Sequence, residues 1–142
     1  MKGAITLSAA LLAGCTADYV EIFMEDHAGD SEATAAALSG AAEILTIDPM
    51  PVWGAALGVE IVRVLDPGPC GITFVNELAV CETRLRAPPV DVKLAHELGH
   101  ALGLEHVDDN GNLMSRSSSG RELTDEQIDT MVRRAWRLNA CP

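Results

Sequence analysis

The spacing of apolar residues along the chain changes from strand-like to helix-like and back, and each change is marked by proline, glycine or a capping residue. The segment "DYVEIFMED" at 18–26 mixes β-branched and aromatic residues with partial alternation, which predicts a first strand. The alanine-rich "DSEATAAALSGAAEIL" at 30–45 predicts a helix, with Asp30 or Ser31 as N-cap and Ala33, Ala37, Ile44 and Leu45 available for a buried face. Asp48-Pro49-Met50-Pro51 ends it, because proline lacks an amide donor and restricts the residue before it. Three further strands are expected at "GVEIVRVLD" (58–66), "GITFV" (71–75) and "AVCETRLR" (79–86), separated or ended by Pro67-Gly68-Pro69 and Ala87-Pro88-Pro89. Asp91 can cap a helix running from about Val92 through a histidine-rich stretch. "TDEQIDTMVRRAWRL" at 124–138 opens with Thr124 and Gln127 in capping-box spacing and lines up Ile128, Met131, Val132, Ala135 and Leu138 on one side, so it reads as a closing amphipathic helix. Together these elements imply an α/β sandwich of one small sheet and about three helices, with no internal repeat.

At 142 residues the chain has room for one domain and one modest core. Its formal charge of −11 argues against a nucleic-acid backbone or an anionic lipid surface as partner, since both attract basic patches. Arg133, Arg134 and Arg137 read as the favourable cations of a helix end, not as a binding patch. A monomer without nucleic-acid contacts is the expectation.

The opening "MKGAITLSAALLAG" carries one lysine before a short apolar run, which has signal-peptide proportions and is too short to span a bilayer. It ends in Leu12-Ala13-Gly14-Cys15, which resembles the lipobox of bacterial lipoproteins. The resemblance implies cleavage after residue 14, lipidation of Cys15, and a single domain over 15–142 held at the outer side of a membrane by that lipid alone. An ordinary secretory signal cut nearby, giving a secreted protein, is the alternative. Removal of Lys2 would leave nine basic against 21 acidic residues, so the acidic character survives. In an exported protein the remaining Cys70, Cys81 and Cys141 favour pairing. A Cys70–Cys81 bridge across the expected hairpin is the first choice and Cys141 to either is the second.

Three of the four histidines fall within "HELGHALGLEH", residues 96–106. On a helix, residues four apart share a face about 6 Å apart along the axis, so His96 and His100 can share one ion. His106 would lie about 15 Å further along a continued helix. The chain must therefore turn back, and Gly103 is where it can, because glycine accepts positive φ without a Cβ penalty. Three neutral imidazoles suit Zn²⁺ with a fourth position left for water. Glu97, directly after a ligand and expected on the solvent side, is better suited as general base than as ligand. Five fixed positions arise by chance in a chain of this length on the order of one time in ten thousand or less.

These residues match the metzincin signature, H-E-x-x-H-x-x-G-x-x-H followed by a Met-turn, and the local wording is similar to that of matrixins. The resemblance implies zinc on His96, His100 and His106, Glu97 as catalytic base, and Met114 as the Met-turn methionine, reached through the turn residues Asp109-Asn110-Gly111. It also implies a small, mostly parallel twisted sheet of about four strands with three helices, the active-site helix being followed by the Met-turn and a C-terminal helix. The implied activity is that of a zinc endopeptidase acting on proteins or peptides.

Some positions depart from the family. Only His27 remains for the structural zinc of many matrixins, so that site is not expected. Structural calcium in the acidic loops is conceivable, but no ligand pattern stands out. No tyrosine follows Met114, which argues against the arrangements that place one at the metal. With little room for a propeptide, latency would fall to a partner or to the thiolate of Cys81 or Cys141 on zinc. Serines 115, 117, 118 and 119 suggest a mobile loop. The competing reading is a catalytically silent, zinc-holding lipoprotein that serves as a binding module. An intact Glu97 speaks against it.

Overall fold

The alternation of the first strand decides which way the sheet faces. In a computed structural model describing residues 18–26, 31–62, 71–74, 77–81, 90–117 and 120–139, strand β1 (Tyr19–Asp26) buries Val20 and Ile22 completely while Tyr19, Glu21 and Phe23 on the other face stay half-buried. Helix α1 (Ser31–Leu45) follows and presents Ala37, Ala41 and Leu45 to the core. Thr46, in the left-handed region at φ 56°, turns the chain out of α1 into β2 (Asp48–Pro51). Strands β3 (Leu57–Val62), β4 (Gly71–Phe74) and β5 (Glu77–Cys81) complete one five-stranded sheet of order β2-β1-β3-β5-β4.

The β1–β2, β1–β3 and β3–β5 pairings are parallel, and only β4 runs antiparallel, against β5 with Thr73 opposite Leu78. The mostly parallel sheet with three helices is thus present, with one strand beyond the four expected. The addition is Asp48–Pro51, whose sequence marks the end of a helix and which also pairs. Two prolines fit there because β2 is an edge strand. The bonds to β1 flanking them are donated by Asp48, to the Asp18 carbonyl at 2.8 Å, and by Val52, to the Ile22 carbonyl at 2.8 Å. Strands β3 and β5 start one and two residues before their expected positions, and the C-terminal parts of the expected strands, 63–66 and 82–86, lie outside the described residues.

Helix α2 (Val90–Ala101) has apolar residues around most of its circumference, and such a helix must be enclosed. Val92, Leu94, Ala95, Leu98, Ala101 and Leu102 are all buried in the core with Leu57 and Val59 of β3. Asp91 is not the cap expected. It lies inside the first turn, where its carboxylate favours the helix dipole and accepts from Arg121 at 3.2 Å.

Helix α3 (Asp125–Leu138) opens as its sequence predicts: the Thr124 hydroxyl accepts from the Gln127 amide, and the Gln127 side chain accepts from the Thr124 amide. Met131 and Ala135 are buried, with Ile128, Val132 and Leu138 packed beside them. At its far end Asn139 donates to the Tyr19 carbonyl at 3.1 Å and accepts from the Glu21 amide at 2.9 Å, which pins α3 to β1. Among the described residues no helix is long and apolar enough to cross a membrane. The signal segment, Cys15, His27, Cys70 and Cys141 lie outside the described residues, and Cys81 is described only as the last backbone position of β5. The expected disulfide and the thiolate latency have no structural counterpart to compare.

Candidate metal centre

A helix with this sequence must end where the third ligand has to turn back, and the ending is a Schellman motif. Gly103 sits at φ 93°, its amide donates to the His100 carbonyl at 2.9 Å, and the Leu104 amide donates to the Gly99 carbonyl at 2.9 Å. Leu104 is buried, which supplies the apolar contact that accompanies this cap. The reversal turns the Leu104 carbonyl toward His100, whose Nδ1 lies 2.8 Å from it. One glycine therefore both ends the helix and orients a ring.

Beyond the turn, the chain closes a second loop. The Val107 amide donates to the Met114 carbonyl at 3.0 Å, and the Asp109 side chain accepts from the Gly111 amide at 2.9 Å, the turn chemistry expected of Asp109-Asn110-Gly111. Met114 is fully buried. Its sulfur is so close beneath α2 that a Cβ at Gly99 would stand 2.6 Å from it. Leu113, one residue earlier, presents its carbonyl to His96 Nδ1 at 2.7 Å.

These supports bring His96, His100 and His106 together, with Nε2 atoms 3.1 Å apart for His96–His100 and His100–His106 and 3.3 Å for His96–His106. The His100 ring is nearly perpendicular to the other two, at 85° and 90°. A carbonyl only accepts, so Nδ1 carries a proton in both His96 and His100, and in the neutral ring the lone pair is then on Nε2. Two lone pairs facing each other at 3.1 Å repel unless a cation lies between them. Nitrogens about 2.0–2.1 Å from a common tetrahedral ion stand about 3.3 Å from one another, close to the observed triangle. The residues present fit zinc, and Leu113 and Leu104 supply the outer acceptors that metal-bound histidines use.

The environments of the three rings differ. His96 is buried, His100 is half-buried and His106 is exposed. The pKa of His106 is lowered from 6.5, first by desolvation of the ring and then by His100, His96 and Arg116, with Glu97 opposing. The shift favours the neutral, ligating form.

Glu97 departs from expectation. It is buried instead of facing solvent, and its carboxylate accepts from the Thr73 hydroxyl on β4, which also lies 3.1 Å from the Glu97 carbonyl. Ser115 is buried, hydrogen-bonded to the Asn112 carbonyl through its amide at 3.1 Å and to Ser117 through its hydroxyl at 2.9 Å. Ser118 and Ser119 lie outside the described residues.

Four contributors are absent from the motif. Gly99 occupies one of its variable positions, and its need comes from the Met114 sulfur. Buried Asn112 accepts from the Met114 amide at 2.9 Å and exchanges two side-chain bonds, 2.8 and 3.2 Å, with Gln127. The N3 residue of the α3 capping box thereby also holds the loop that carries Met114. Thr73 stands on a strand 24 positions from its partner, a separation that no local pattern spans. For Gln127 the capping box was the available signal.

Fold, order of elements and ligand geometry together are metzincin-like, the architecture of a class of zinc metallopeptidases. In keeping with this, the matrixin family model matches residues 84–137, the stretch from before α2 through most of α3. Solved structures extend the likeness across the fold. A zinc-dependent peptidase from Methanocorpusculum labreanum superposes with a TM-score of 0.62 at 10% identity, covering 79% of this chain and 99% of that one. Metalloproteinase-II from Bacteroides fragilis gives a TM-score of 0.60 at 14% identity, covering 82% of this chain and 53% of that one. No curated protein sequence matches the chain.

Proposed function

We propose that the protein is a zinc-dependent endopeptidase that hydrolyses peptide bonds in proteins or peptides, with Glu97 as general base. The observation that carries this reading is the pair of ring nitrogens, His96 Nε2 and His100 Nε2, held as acceptors 3.1 Å apart by carbonyls behind them, with a carboxylate on the very next residue. When bound, zinc would supply a Lewis acid that polarises the scissile carbonyl and acidifies water. Glu97 then takes the proton of the attacking water and delivers it to the leaving amine. The backbone of the outermost strand β4, beside this carboxylate, suits an extended peptide that adds to the sheet.

A zinc-holding binding module is the weaker reading, because holding the ion requires no carboxylate beside it. Cleavage of a generic unfolded protein separates the two. Hydrolysis should stop with chelator and fall by about 10²–10⁴-fold in Glu97→Gln while zinc stays bound. Undiminished hydrolysis in that variant would reject the assigned role.

We further propose, from Leu12-Ala13-Gly14-Cys15, that the protein acts outside the cytoplasm as a lipid-anchored envelope protein. Fatty-acid labelling that tags the wild type and spares Cys15→Ser supports this. Equal labelling of both counts against it.

A further inference from the structure

We infer that Thr73 is a positioning residue for Glu97, an inference that rests on the reading of Glu97 as base. The hydroxyl of Thr73 has one hydrogen and two acceptors in reach, the Glu97 carboxylate and the Glu97 carbonyl. The bond to the ionised group is the stronger, so the hydrogen goes to Oε2. This leaves Oε1 with its lone pairs free for a water proton. A buried glutamate with three rotatable bonds has several rotamers to choose from, and one charge-assisted bond from a fixed strand selects among them.

The location of the donor adds to this role. Thr73 sits in the middle of β4, paired through its backbone with Leu78 of β5, so the sheet holds it in place. Glu97 is on α2 beside His96, and the Leu113 carbonyl holds His96. The carboxylate is therefore held from two independent elements, with the helix fixing its backbone and the sheet fixing its tip. Valine has the shape of threonine without the donor, and serine has the donor without the methyl.

The test compares wild type, Thr73→Val, Thr73→Ala, Thr73→Ser and Glu97→Gln in the zinc-loaded full chain. The expected result for Thr73→Val and Thr73→Ala is a fall in kcat of about 10- to 100-fold, the worth of one hydrogen bond to a charged group. KM should stay within about threefold, Thr73→Ser should recover most of the loss, and zinc affinity, read by chelator competition, should not change. A readout independent of turnover is the Glu97 carboxylate carbon resonance of the zinc-free protein at fixed pH. It should move in Thr73→Val and return in Thr73→Ser.

An unchanged kcat in Thr73→Val or Thr73→Ala beside an inactive Glu97→Gln overturns the inference and leaves the base reading standing. Equal losses in the valine and serine variants, or a loss of zinc affinity, also overturn it in favour of a packing role. Wild-type activity in Glu97→Gln removes the base reading itself.

Discussion

Two of the three imidazoles ride on a helix enclosed by the core, and the third stands on a loop in solvent. His96 and His100 are fixed by α2, and each has a carbonyl behind its ring, at 2.7 and 2.8 Å. His106 is carried instead by backbone: the Schellman turn at Gly103 on one side and the Val107–Met114 bond on the other. A rigid pair can be built from local spacing alone, whereas the third ligand needs a reversal, a return loop and something to hold that loop down. Here Met114, Asn112 and Gln127 hold it.

The sharpest way to break this comparison is to remove one ligand from each side. Both His96→Ala and His106→Ala should abolish stoichiometric zinc, as read by elemental analysis. Only His96→Ala should also weaken the zinc-free fold, by about 1–3 kcal/mol, because it leaves the buried Leu113 carbonyl without its donor. Equal denaturation midpoints for the two variants would show that the helix-borne ring has no structural part.

Next in size is Gly99→Ala. Its new methyl would meet the Met114 sulfur at 2.6 Å, and overpacking of this kind costs about 1–3 kcal/mol. Chemical denaturation should show that loss, and Met114→Ala should restore part of it in the double variant. Gly103→Ala should cost about 1–2 kcal/mol from the left-handed backbone alone, since the nearest atom to its Cβ is a methyl of Thr130 at 3.7 Å. Zinc affinity should fall with it as His106 is displaced. A fall in stability with no change in affinity would separate the turn from the ligand it carries.

The smallest effect concerns pH. Because the His106 pKa lies below 6.5 in the zinc-free fold, the unfolded chain binds more protons between the folded value and 6.5. This titration leaves stability unchanged above about pH 6.5 and lowers it as the pH falls from there through the folded value. The difference in denaturation midpoint between wild type and His106→Gln, both zinc-free, should shift in that direction on going from neutral pH to pH 5. A shift of opposite sign would mean that the ring gains, and does not lose, a proton on folding.

The same division explains what could be read from the chain. His96, Glu97, His100, Gly103 and His106 are set by helix geometry and by the need to leave it, both of which are local. The capping box at Thr124–Gln127 and the face of α3 were equally legible. The pairing of Asp48–Pro51 was not, because its prolines signal a helix end and an edge strand alike. The burial of Glu97 and its bond to Thr73 depend on where β4 falls in the sheet, which the residues around either partner do not encode. The burial of Ser115 was not legible for a related reason: composition marks a serine-rich loop but does not show that the return loop must pack to keep Met114 under α2.

The most direct test is X-ray absorption at the zinc edge on the purified, zinc-loaded protein. One ion per chain with three imidazole nitrogens at about 2.0–2.1 Å and one oxygen ligand is the predicted result. Fewer than three imidazoles, or no bound ion, would contradict the account.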